Sequence, residues 1–129
     1  MSLSIGLSRT GPLVNADYSA GVCFDDDGYY WSLYPFFERV WKQSGQMIDL
    51  YGNAVFQPEQ LPDLLAILEE AATSAAQKPE EWDVLVGCRG EEKIYCKVSK
   101  SRLQQILGDF IVLVKLAMVE GKNVVGFGD

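Results

Sequence analysis

The spacing of apolar residues changes back and forth between two periods along this chain of 129 residues. In residues 3–7 and 18–24 every second residue is apolar, whereas in residues 61–75 apolar side chains recur every third or fourth residue. A period of two is typical of a strand with one buried face, and a period of 3.6 is typical of a helix packed on a core. The chain must therefore combine strands and helices around a shared hydrophobic core.

Three pairs of neighbouring strands alternate with three helices in this pattern, and a last strand follows. Strands joined by short turns pair antiparallel, which favours the α+β class over a parallel sheet with crossover helices. We therefore predict one α+β domain over residues 1–129, with the order ββαββαββαβ and a single, mainly antiparallel sheet that carries about three helices on one face. The strands are predicted over residues 3–7, 18–24, 47–51, 54–56, 82–88, 93–98 and 124–127; the helices begin at Ser32 (with Pro35 in the first turn), near Pro58, and near Ser99 or Ser101.

The third predicted helix contains five apolar residues in succession, Phe110 to Val114. At about 100° per residue they surround the whole helix instead of forming one stripe. Such a helix needs cover on more than one side. Either it lies centrally between the sheet and the other helices, or part of its surface is buried in a homodimer.

The predicted hairpin over residues 82–98 has apolar residues on both of its faces. A turn at Arg89–Glu92 sets Cys88 across from Lys93. In that register Trp82, Val84, Val86 and Tyr95 share one face, and Leu85, Ile94, Cys96 and Val98 share the other. With three helices available, one of these faces either lacks cover and is open to a partner, or is covered by loops or by the N-terminal hairpin.

Charge and residue types exclude several classes of function. Eleven Lys and Arg residues against 18 Asp and Glu give a net charge of −7, which disfavours binding to a phosphate backbone. The chain has no histidine, so mechanisms and zinc sites that need imidazole are absent. No nucleophile elbow, P-loop or dinucleotide fingerprint is present. No apolar run reaches the roughly 20 residues of a membrane span, and we expect a cytoplasmic protein without cofactor, transition metal, nucleic acid or membrane partner.

The cysteines and the acidic run Asp25-Asp26-Asp27-Gly28 match no common metal-binding or redox motif. Three cysteines fit neither a C-x-x-C pair nor a zinc set, and we expect Cys23, Cys88 and Cys96 to be reduced and buried. An EF-hand register on Gly28 would need carboxylates where Cys23 and Tyr34 stand. The run therefore predicts a solvated turn or a surface that faces a partner.

Two hypotheses for function remain. The preferred one is a non-catalytic protein-binding domain whose acidic residues attract a basic partner and whose aromatic residues provide contact area. The alternative is a small enzyme or ligand-binding domain, in which Asp49 forms a carboxylate pair with Glu38 or Asp83 in a pocket between sheet and helices. The residue types present favour binding over catalysis. The residues predicted to bind the partner are Asp25, Asp26, Asp27, Asp49, Tyr51, Trp82 and Tyr95.

Three segments carry a resemblance to known proteins: Ile48-Asp49-Leu50-Tyr51-Gly52-Asn53-Ala54, Trp82-Asp83-Val84-Leu85-Val86-Gly87, and Val124-Val125-Gly126-Phe127-Gly128-Asp129. Together they resemble a group of small uncharacterised bacterial proteins that end in Phe-Gly-Asp, a group that supplies no activity. In size, acidity and lack of catalytic residues the chain is also similar to the immunity proteins of bacterial toxin systems. That second resemblance implies a cytosolic binder that neutralises a partner enzyme.

Overall fold

The structure, a computed structural model, describes residues 3–8, 17–24 and 27–128. This part of the chain has an α+β fold in which every strand pairing is antiparallel. The elements are β1 (Leu3–Ser8), β2 (Asp17–Phe24), α1 (Asp27–Ser44), β3 (Asn53–Phe56), a 3₁₀ turn (Pro58–Gln60), α2 (Leu61–Ala76), β4 (Glu81–Arg89), β5 (Glu92–Ser99), α3 (Lys100–Glu120) and β6 (Asn123–Gly128).

Four strands form one sheet in the order β2-β1-β6-β3. Leu3 on β1 lies between Phe24 on β2 and Gly128 on β6, and Asn53 on β3 pairs with Phe127. Side chains on one face of this sheet, the inner face, join the helices in a continuous core. Its members include Leu3, Ile5, Phe24, Phe56 and Val124 from the strands, and Leu33, Phe37, Leu64, Leu68, Leu107, Phe110 and Val114 from the helices.

The prediction of a single sheet is wrong, because β4 and β5 form a separate two-stranded sheet. β3 is an edge strand of the larger sheet, and the hairpin does not pair with its free edge. One backbone group of β3 has a side-chain partner instead, since the Val55 amide donates to Gln46 Oε1 at 3.1 Å. Meanwhile Trp82, Val84 and Val98 on the hairpin pack against the core. The hairpin therefore covers the helices instead of extending the sheet.

Residues 47–51 do not form the predicted strand, so the order is ββαβαββαβ. The alternation is present, since Ile48 and Leu50 are fully buried. Their backbone is held in other ways: the Tyr30 hydroxyl donates to the Ile48 carbonyl at 2.7 Å, and the Tyr51 amide donates to the Asp49 carboxylate at 3.1 Å. Burial with a period of two thus arises here in a loop without a strand partner.

Helix α1 begins at Asp27, earlier than the predicted start at Ser32. Ser32 is inside the helix, where its hydroxyl donates to the Tyr29 carbonyl at 2.7 Å, and Pro35 also lies within the helix. The additional turn buries Tyr29 and Tyr30, which brings aromatic area to the core. Of the two predicted starts of α3, the structure has Ser99 and not Ser101, because the Ser99 hydroxyl accepts from the Arg102 amide at 3.2 Å and Ser101 lies inside the helix.

Helix α3 is covered on one side only within the described part of the chain. Phe110, Leu113 and Val114 are fully buried, whereas Val112 is 66% exposed. The helix contacts both α2 and the four-stranded sheet, but the predicted cover of its whole circumference is absent from the described part of the chain. A stripe of apolar residues remains on its outer side.

Candidate protein-binding surface

One end of the four-stranded sheet brings together several of the residues predicted to bind a partner. Asp27 begins α1 three residues after Phe24, and Phe24 pairs with Leu3, the neighbour of Gly128. The loop of residues 49–52 precedes β3 at this same end. The loop and the end of β6 are neighbours, whereas β2 and β3 are opposite edges of the sheet, so α1's first turn lies at the same end about three strand spacings of roughly 4.8 Å from the loop.

The loop is fixed by its own turn and by contact with β6. Asp49 accepts a hydrogen bond from the Tyr51 amide, and the Gly128 amide donates to the Gly52 carbonyl at 2.8 Å. A Cβ atom on Gly128 would lie 2.2 Å from the Asp49 carbonyl oxygen. Only glycine therefore permits this close approach. Since Ile48 and Leu50 point into the core, the side chain of Tyr51 is directed outward and is 65% exposed.

Tyr30 joins α1 to the loop. Its buried hydroxyl donates to the Ile48 carbonyl, and burial raises the pKa of this hydroxyl well above its ordinary value. The charges of the Asp49 carboxylate and of Tyr34 also raise the pKa of the Tyr30 hydroxyl. Because Asp27 lies one turn before Tyr30, the two carboxylates occupy the same end of the molecule.

Phe127 adds a second exposed aromatic ring at this end. It lies on the outer face of the sheet, in one row with Cys23, Ser4 and Asn53, and is 41% exposed. Phe127 was predicted to lie in the closing strand, without a role. Successive residues of a strand point to opposite faces, and Gly126 and Gly128 lie on the inner face. This alternation is the signal in the sequence that could have placed Phe127 on the outer face. We name Asp27, Asp49, Tyr51 and Phe127 the sheet-end surface.

The four residues of the sheet-end surface include two carboxylates and no basic side chain. Among the described residues, ion pairs join Arg39 to Glu70, Lys42 to Glu38 and Lys122 to Glu120. None of these pairs includes Asp27 or Asp49. The charge of these two carboxylates is thus available to a basic partner. Asp25 and Asp26, also predicted to bind the partner, lie outside the described residues.

Trp82 and Tyr95 are not on one face of the hairpin, which corrects the sequence prediction. The predicted pair of Cys88 with Lys93 is present, but a bulge between Leu85 and Gly87 shifts the register by one residue. A shift of one residue moves side chains to the opposite face. Trp82 therefore pairs with Val98 on the inner face, while Tyr95 pairs with Leu85 on the outer face.

The surroundings of these two aromatic residues differ accordingly. Trp82 is half-buried in a cleft of ≈ 130 Å³ between α1, α2 and α3, with the Lys78 ammonium 5.8 Å from its ring centroid. Tyr95 is 55% exposed and Leu85 is 45% exposed. Trp82 is thus a packing residue. Tyr95 lies on the outer face of β5, which is not part of the sheet-end surface.

The cysteines also differ from expectation, since Cys23 and Cys88 are exposed and Cys96 is half-buried. Cys23 points to the outer face of the sheet, and Cys88 lies near the hairpin turn. Neither of these two side chains is packed in the hydrophobic core. In the residues that the structure describes, no three His, Cys, Asp or Glu side chains form a group that could hold a metal ion.

The carboxylate pair of the alternative hypothesis is not built into a cleft. Glu38 pairs with Lys42 along α1 at 3.5 Å, and Asp83 lies on the exposed face of β4 across from Lys97. Three clefts among the described residues, of ≈ 110, ≈ 480 and ≈ 130 Å³, are lined by neither Asp49 nor those two residues. The geometry therefore offers the alternative no supporting observation.

Compared with protein-family models, with curated proteins and with solved structures, the chain gives no match. The resemblance to small bacterial proteins ending in Phe-Gly-Asp therefore stays a prediction. Of the helices that the structure describes, none has the length and hydrophobicity needed to cross a membrane.

Proposed function

We propose that this chain is a non-catalytic protein-binding domain that uses the sheet-end surface to bind a basic protein. The observation that carries the proposal is the exposure of Tyr51 and Phe127, at 65% and 41%, at the end of the sheet that also carries Asp49 and Asp27, two carboxylates without ion pairs among the described residues. Aromatic rings provide large contact area with little loss of side-chain entropy, and they are enriched at protein interfaces.

The charge of the whole chain supports the same kind of partner. A net charge of −7 attracts a basic protein over long range, and peripheral carboxylates act mainly on the rate of association. An immunity-type role, in which the chain occupies a basic toxin domain in the cytoplasm of a bacterium, is the specific form that we propose. In that role Tyr51 and Phe127 serve as central contacts, and Asp27 and Asp49 guide the encounter.

Affinity capture from a lysate of the source cells tests the proposal. Wild-type protein is compared with the double variant Tyr51→Ala/Phe127→Ala and with Trp41→Ala, a matched control because Trp41 is 50% exposed but lies near the other end of α1. We expect one protein to bind the wild type and the control, and to be lost from the double variant. Loss of a central aromatic contact weakens binding by 2 kcal/mol or more, on the order of 30-fold.

Two results would refute this function. One is the absence of any protein that distinguishes wild type from the double variant. The other is equal loss of the captured protein with the Trp41→Ala control. Circular dichroism of each variant ensures that lost binding does not reflect unfolding.

A further inference from the structure

A cleft opens to solvent where the three helices meet the start of β4. Its volume is ≈ 130 Å³, and it is lined at its base by Leu33, Ala71, Ala75 and Leu103, which belong to the hydrophobic core. An apolar cavity of roughly 150 Å³ is known to hold benzene, so a cleft of this size can take one six-membered ring. We call it the Trp82 cleft, after the residue that β4 contributes to its lining.

Two aromatic rings and one cation border the Trp82 cleft where it meets solvent. Phe36 and Trp82 are half-buried, and the Lys78 ammonium lies 5.8 Å from the centroid of the Trp82 ring. An ammonium over an indole face is attracted by the negative charge density of that face. Among the described residues no ion pair includes Lys78. Its positive charge therefore has no anionic partner within the described part of the chain.

Ser74 supplies a hydroxyl to the same lining. In the part of the chain that the structure describes, no hydrogen bond uses the Ser74 hydroxyl, whereas the hydroxyl of Ser32, also in the lining, donates to the Tyr29 carbonyl. A hydroxyl whose proton is free can donate to a carboxylate oxygen. Among the described residues that line the cleft none is acidic. One full positive charge and one hydroxyl donor thus border an otherwise apolar space.

The helix ends near the cleft have opposing effects on an anion. Helix α2 ends at Ala76, and the negative end of its dipole, equivalent to about half a charge, works against an anion there. Two of its last carbonyls, those of Ser74 and Ala75, are satisfied by the amides of Gln77 and Lys78. Helix α3 begins at Lys100 and brings its positive end close to the cleft through Leu103. The two dipoles offset each other, and the Lys78 ammonium decides the sign.

We propose that the Trp82 cleft binds a small aromatic monocarboxylate. The ring lies against the indole of Trp82, and the carboxylate accepts hydrogen bonds from the Lys78 ammonium and the Ser74 hydroxyl. Pockets for small ligands combine apolar walls with a few placed polar groups, as this cleft does. An organic cation would instead be repelled by Lys78. The site shares no residue with the sheet-end surface and does not depend on the proposed function.

NMR titration of the isotope-labelled full chain with sodium benzoate tests the site, with benzyl alcohol as the uncharged ligand of matched size. We expect benzoate to shift the indole N–H resonance of Trp82 with a dissociation constant of about 1 mM or below. Benzyl alcohol should bind roughly tenfold more weakly, since it lacks the charge. The resonance is assigned by its loss in Trp82→Phe. The indole of Trp41, 50% exposed and outside the cleft, is the internal control and should not shift.

Three variants separate the charge from the space. Lys78→Met keeps the length of the side chain and should raise the dissociation constant for benzoate roughly five- to tenfold, without an effect on benzyl alcohol. Lys97→Met, a change at an exposed lysine on β5, is the matched control and should affect neither ligand. Ser74→Leu fills the cleft and should abolish binding of both. Circular dichroism verifies that each variant is folded.

Three results would overturn the proposal. The first is no saturable shift of the Trp82 indole in wild-type protein with benzoate up to about 20 mM, well above the expected dissociation constant. The second is equal affinity for benzoate and benzyl alcohol. The third is unchanged benzoate binding in folded Lys78→Met, which would show that the ammonium does not hold the carboxylate.

Discussion

At Tyr30, one hydroxyl connects the first helix to the loop that carries Asp49 and Tyr51. The ring is buried, and its hydroxyl satisfies the Ile48 carbonyl, which has no strand partner. Alternating apolar residues predicted a strand over residues 47–51 but could not predict this bond, because alternation does not reveal which groups satisfy the backbone. A tyrosine 18 positions away gives no local signal.

Replacement of Tyr30 by Phe should reduce the free energy of unfolding by about 1–3 kcal/mol at neutral pH, since it leaves a buried carbonyl without its donor. The pKa of Tyr30 is raised in the folded state, so the folded protein retains the proton where the unfolded chain loses it. Stability from this group is therefore complete below about pH 10 and declines as the pH rises further, by up to about 1.4 kcal/mol per pH unit.

Urea unfolding between about pH 8 and pH 11 measures this dependence. The wild type should lose stability above pH 10 more steeply than Tyr30→Phe. Tyr95→Phe, a change at an exposed tyrosine, should follow the wild type. Parallel pH profiles for wild type and Tyr30→Phe would contradict the buried bond.

Gly128 allows β6 to contact the loop of residues 49–52. Gly128→Ala would place a methyl group 2.2 Å from a backbone oxygen, and backbone cannot move aside as a flexible side chain can. We expect a loss of about 1–3 kcal/mol in the free energy of unfolding, as with other overpacked sites. Gly87→Ala, where a Cβ would meet nothing within 4 Å, is the control and should stay within about 0.5 kcal/mol. Equal stability of both variants would mean that the loop is not held against β6.

At the scale of the elements, periodicity predicted the three helices and most strands but not the way in which strands associate. The bulge at Leu85–Gly87 shifts the register without any change in the apolar pattern, and so the sequence could not separate Trp82 from Tyr95. The early start of α1 has a similar cause. An acidic run followed by glycine is typical of turns, yet here Asp27 and Gly28 begin a helix that aromatic packing stabilises.

The five apolar residues of α3 should differ in energetic importance according to which side of the helix they occupy. Phe110→Ala removes a fully buried ring and should cost about 3–5 kcal/mol in the free energy of unfolding. Val112→Ala changes a side chain that is 66% exposed and should cost less than about 1 kcal/mol in the monomer. Urea denaturation at low protein concentration measures both, and similar losses for the two variants would show that the helix is placed wrongly.

At the scale of the whole molecule, the helices cover the inner face of the four-stranded sheet, and the sheet-end surface lies at one end of that sheet. The sequence alone predicted Asp27, Asp49 and Tyr51 as residues for a partner, because acidic and aromatic types are recognisable without a structure. Phe127 was not among them: alternation sets it opposite Gly126 and Gly128, but which face of β6 is the outer one follows only from its pairing with β1 and β3. Pairing between residues more than 70 positions apart leaves no local pattern.

Titration of isotope-labelled protein with the captured partner, followed by NMR of the backbone amides, tests the central claim most directly. The account predicts that the largest shift changes fall on residues 27–29, 49–53 and 126–128, and that β4, β5 and the outer face of α3 change little. It also predicts that Tyr51→Ala weakens the complex by roughly tenfold or more. Shift changes confined to the hairpin or to α3, with the sheet-end amides unchanged at saturation, would contradict it.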